Sequence, residues 1–68
     1  MRSSSVTTGG RLLDFRLQRG LTQTALAEES GVNQSTIWRI ENQQAEARVG
    51  TLTALASALK VKVADLLP

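Results

Sequence analysis

Apolar positions recur along this chain at helical spacing, and no stretch alternates as a half-buried strand would. Leu52, Leu55, Ala56 and Leu59 fall at i, i+3, i+4 and i+7, the buried stripe of one helix running from Thr51 to Lys60. Leu12, Phe15 and Arg16 mark the inward side of a first helix, capped by Thr7 or Thr8 and ended at Gly20. Thr22 is placed to cap a second helix, Gln23–Ser30, which Gly31 ends; Asn33 is placed to cap a third, from Gln34 to about Asn42. Polar residues Gln43–Arg48 read as a loop. A last short helix carries Val63, Leu66 and Leu67. The pattern predicts an all-α fold of five short helices in one domain over residues 7–68. The serine-rich lead 1–6 has nothing to bury and is expected to be a disordered arm.

Composition narrows the chemistry. With 68 residues the chain holds one small core, worth only ~3–5 kcal/mol, so tight helix packing or dimerisation has to help. There is no cysteine and no histidine, which removes disulfides, thiolate metal sites and the usual general base. No convergent acid pair replaces them, so neither enzymatic activity nor a metal or cofactor is expected. The net charge of +2 is too small to establish a nucleic-acid partner by itself. Most of the cations are arginines, which suit phosphates and guanine edges better than lysines do. The first residues lack the apolar core of a signal peptide, and no apolar run approaches the ~20 residues of a membrane span. A cytoplasmic protein without membrane contact is the expectation.

The segment Gln23–Asn42 carries the function. Two helices crossing steeply through a short turn need a small residue where they approach, and Ala27 meets that need. The turn needs a left-handed residue, and Gly31 supplies it without side-chain cost. Leu26, Val32, Ile37 and Ile40 fill the angle between the helices. On the third helix Ile37 and Ile40 point inward; Ser35, Arg39 and Asn42 fall opposite, with Trp38 beside them and Gln34 on the flank. An apolar back and a hydrogen-bonding front near the N-terminus are what a DNA recognition helix requires.

On these residues the chain resembles the lambda repressor/Cro-like helix-turn-helix domains of the XRE family. The resemblance runs from about Gly9 to Leu67 through Arg16-x-x-x-Gly20-Leu21-Thr22-Gln23, Leu26-Ala27-x-x-x-Gly31-Val32, Thr36-Ile37-x-Arg39-Ile40-Glu41-Asn42 and Thr51-Leu52-x-x-Leu55-Ala56-x-Ala58-Leu59-x-Val61. It implies a compact five-helix, lambda-repressor-like fold and binding to a two-fold symmetric operator. It places a phosphate contact at Gln23 and base contacts at Gln34, Ser35 and Arg39, and it implies an internal ion pair between Arg16 and Glu41. The chain departs from many family members in the nearly uncharged loop before Arg48, and no C-terminal oligomerisation domain is expected to follow.

Individual positions leave alternatives. Gln34 suits adenine N6 and N7, while Gln23 either braces Gln34 or bonds a phosphate. Arg39 suits guanine O6/N7 or a phosphate equally. Ser35 serves any base, Asn33 is a cap first and a phosphate ligand second, and Thr36, Asn42 and Arg48 are backbone contacts. Trp38 either meets DNA, through its indole N–H or against a thymine methyl, or packs over the second helix or the loop. Leu13 and Leu17 form a second apolar edge, seated on the terminal helix near Val63 and Leu67 or left open for a partner. The function expected is sequence-specific repression by a homodimer on double-stranded DNA, with dimer contacts around Val63, Leu66 and Leu67. The competing expectation is an antitoxin-like or adaptor module whose main partner is a protein, such as a toxin; polymerase is a further possible contact of a bound repressor.

Overall fold

The computed structural model describes residues 7–68, so the expected arm 1–6 lies outside the described residues. Four α-helices follow in order: α1 (Thr8–Gln18), α2 (Gln23–Ser30), α3 (Gln34–Glu41) and α4 (Val49–Leu59). The fifth element, Val63–Leu66, is a 3-10 helix, so the expectation of five α-helices is corrected to four and a tighter closing turn. Four residues are too few to repeat the i→i−4 ladder, and the tighter i→i+3 pattern suffices to seat one side chain. That side chain is Leu66, which is fully buried.

Local chemistry explains where the first three helices start. The hydroxyls of Thr7 and Thr22 accept from the Gly10 and Ala25 N–H groups, and the Asn33 side-chain oxygen accepts from the Ser35 N–H. Helix α1 ends in a pair of reverse bonds, Gly20 N–H to Leu17 C=O and Leu21 N–H to Arg16 C=O, with Gly20 left-handed at φ 66°. Helix α4 starts two residues before the expected Thr51. Its N-cap is Arg48, whose side chain caps nothing, so no local signal marks this start.

Leu12, Leu26, Ile37, Ile40, Leu52, Leu55, Ala56, Leu59 and Leu66 form one core to which all five elements contribute. Ala27 packs against it from α2, and Val32 from the turn between α2 and α3. Leu17 stays mostly exposed and Leu67 nearly half exposed, so neither is seated in this core. Among the described residues no helix is long and apolar enough to cross a membrane.

Candidate nucleic-acid interface

The arrangement of α3 begins with its back. Ile37 and Ile40 sit in the core, and Glu41 is the one buried charged residue among the described residues. A carboxylate out of water needs charge-assisted bonds to offset its lost hydration. Arg16 of α1 supplies them in a fork: Nε donates to Glu41 Oε2 at 2.7 Å and Nη2 donates to Oε1 at 3.0 Å. The third guanidinium arm, Nη1, donates to the Leu21 carbonyl at 2.9 Å, so the same side chain pins the turn between α1 and α2. Side-chain exposure is 11% for Arg16 and 3% for Glu41, so the pair is shielded from solvent screening.

This pair does not stand alone. Gln23, the first residue of α2, donates from Nε2 to Glu41 Oε1 at 2.9 Å. Its own Oε1 accepts from Gln34 Nε2 at 2.7 Å. The four side chains make one chain of hydrogen bonds, from the buried guanidinium of α1 to an exposed amide at the start of α3. Of the two roles open to Gln23, the brace is thus formed within the protein. Gln34 keeps Oε1 and one N–H free and facing outward, the donor and acceptor an adenine edge needs.

The rest of the front is exposed. Ser35, Trp38, Arg39 and Asn42 all reach solvent, and Thr36 is half-buried. The Ser35 hydroxyl donates to Asn33 Oδ1 at 2.8 Å, which leaves it as an acceptor outward. Asn33 is thereby engaged twice, by the N–H and the hydroxyl of Ser35, and acts first as a cap. Asn42 donates from Nδ2 to the Trp38 carbonyl at 2.9 Å, which ties off the last turn. The side chains of Arg39 and Arg48 form no hydrogen bond or ion pair within the described residues. Trp38 is 47% exposed, which leaves about half of the residue open to solvent.

Two features escaped sequence reasoning. Gly9 lies where α1 crosses the end of α3: a Cβ there would collide with the Ile40 carbonyl oxygen and crowd Glu41 Cα. Gln43 adopts φ 58° just past α3, with reverse bonds from Gln43 N–H to Ile40 C=O and from Gln44 N–H to Arg39 C=O. No glycine marks this turn, so no signal was available.

Known proteins share this fold. Residues 12–66 match the HTH_3 family, described as helix-turn-helix. An immunity repressor protein of Bacillus phage phi105 is 36% identical over 58 residues, which is 85% of this chain and 40% of the phage protein. The crystal structure of the restriction-modification controller protein C.AhdI from Aeromonas hydrophila superposes with a TM-score of 0.86 at 30% identity, covering 97% of this chain and 100% of the other. An HTH_3 family transcriptional regulator from Vibrio cholerae gives 0.84 at 27% identity, over 93% of this chain and 35% of its own. The chain therefore spans less than half of the phage repressor and of the Vibrio regulator.

Proposed function

Because this chain belongs to the HTH_3 (XRE/Cro/C1-type) family of helix-turn-helix DNA-binding domains, we propose that it is a sequence-specific transcriptional repressor that lays α3 in the major groove of a two-fold symmetric operator. The braced Gln34 amide carries this reading. Held by Gln23, it offers one acceptor and one donor to adenine N6 and N7, and a fixed amide discriminates better than a mobile one. Arg39, free of internal partners, serves guanine O6/N7 or the adjacent phosphate, and Ser35 accepts from a neighbouring base. Gln23, Asn33, Thr36, Asn42 and Arg48 flank this edge as backbone contacts. The likeness to an immunity repressor and a restriction-modification controller supports repression by occupancy.

An isologous homodimer completes the proposal. The domain measures 30 × 22 × 19 Å, so two copies side by side can present their α3 helices about one helical turn (~34 Å) apart. The buried Leu66 is not available to such an interface, whereas the exposed Leu67 is.

A random-sequence duplex selection tests the reading. The wild-type chain should enrich a palindrome, with binding that weakens as salt displaces the protein from phosphates. Gln34→Ala should lose ~1–3 kcal/mol of preference at one base pair per half-site while keeping its non-specific affinity. Selection of the same palindrome with undiminished discrimination would remove Gln34 from the interface. A stable one-to-one hetero-complex without any DNA binding would favour the protein-adaptor reading instead.

A further inference from the structure

We infer that Trp38 is a specificity-determining residue that reads the 5-methyl group of a pyrimidine in the major groove. The inference rests on the DNA-reading role proposed for α3 and names what one further position of that helix recognises.

Placement comes first. At about 100° per residue, with Gln34 as origin, Trp38 falls near 40°, Asn42 near 80°, Ser35 near 100° and Arg39 near 140°. All five are exposed, while Ile37, Ile40 and Glu41 fill the opposite side. Trp38 therefore lies inside the outward arc, with Gln34 and Arg39 at its two edges. Gln34 and Arg39 are the two residues proposed above to reach base edges, so a side chain that lies between them on the arc faces the bases as well. This position separates the two DNA roles that sequence alone left open to Trp38.

Chemistry then selects the target. Every other outward side chain offers hydrogen bonds; Trp38 offers a broad apolar face, 47% exposed. Its indole nitrogen has no partner among the described residues. The apolar feature of the major groove is the C5-methyl of thymine, and 5-methylcytosine carries the same group at the same place. A tryptophan orders only two side-chain torsions on contact, so little conformational freedom is lost in holding it there.

The test uses the palindrome that the wild-type chain selects. Each thymine is replaced singly by deoxyuridine, and dissociation constants are measured for wild type, Trp38→Ala and Trp38→Gln, with helicity checked by circular dichroism. At one position per half-site, wild type should bind the demethylated duplex roughly four-fold more weakly, the factor that one lost methyl contact brings. Both variants should bind the two duplexes alike. Replacing that T·A pair by 5-methylcytosine·G and by C·G isolates the methyl from the rest of the base: the methylated pair should be preferred by about the same factor, by wild type alone. Insensitivity of wild type to demethylation at every position overturns the inference, as does an undiminished ratio in both variants. If no sequence is enriched at all, the reading of α3 as a DNA-binding helix fails first and this inference falls with it.

Discussion

Along α3, Gln34, Ser35, Trp38 and Arg39 keep polar or apolar groups open to solvent, whereas Ile40 and Glu41 at its far end are buried against α1. The front half holds unused donors and acceptors. In the back half the carboxylate's oxygens are taken by Arg16 and Gln23, and the Ile40 carbonyl lies against Gly9 with no room for a Cβ. A helix that must place an amide against a base edge gains from a mount that does not move, because sites on rigid, packed elements are more precise than sites on loops. The front should therefore govern sequence choice and the back stability. Gln23 is the side chain that joins them.

The largest expected effect breaks the back half. Removing either partner of the Arg16–Glu41 pair strands a desolvated charge, which typically costs ~3–5 kcal/mol, close to the entire stability of a domain this small. Arg16→Met or Glu41→Leu alone should be largely unfolded in a urea titration. The double variant should recover much of the loss, because two packed apolar side chains avoid desolvating either charge. Single variants melting within about 0.5 kcal/mol of wild type would show that the pair contributes no more than an ordinary surface substitution.

A smaller loss is expected at Gly9. Alanine gains up to ~1 kcal/mol of helix propensity over glycine, but its Cβ meets backbone rather than a flexible side chain. Separating α1 from α3 should outweigh that gain, for a net destabilisation of about 2 kcal/mol. A Gly9→Ala protein as stable as wild type would mean that α1 and α3 shift apart freely and that the mount is soft.

The smallest effect runs the other way. Gln43 holds a left-handed conformation that costs a non-glycine residue ~1–2 kcal/mol, partly offset by the greater unfolded-state freedom of glycine. Gln43→Gly should raise stability by about 1 kcal/mol, read as a higher urea midpoint at unchanged slope. It should leave the selected palindrome unchanged. A shift in base preference would show that the back half also reads DNA and would erase the division between the two halves.

Caps, turns and core stripes were legible because each depends on residues within one turn of one another. Thr7, Thr22 and Asn33 cap where their side chains can reach an N–H two or three residues on, and Gly20 and Gly31 mark turns that a left-handed residue can make. The stripe Leu52, Leu55, Ala56 and Leu59 is buried throughout. The outward front of α3 followed from the same periodicity. The start of α4 at Val49 was not legible, since Arg48 makes no side-chain cap. Nor was the closing element, where four residues decide between two helix types by how Leu66 meets the core.

By itself, then, the sequence determined the helices, their order, the buried stripe of each and the side of α3 that faces outward, because periodicity and capping act locally. The tertiary structure decided that Gly9 must be glycine, that Gln43 turns left-handed, and that the ion pair passes through Gln23 to Gln34. The paired groups on α1, α2 and α3 stand 11 to 25 residues apart, and which of their atoms meet depends on how closely and at what angle the helices cross. Those crossings are set by packing of the whole core, which no local pattern encodes.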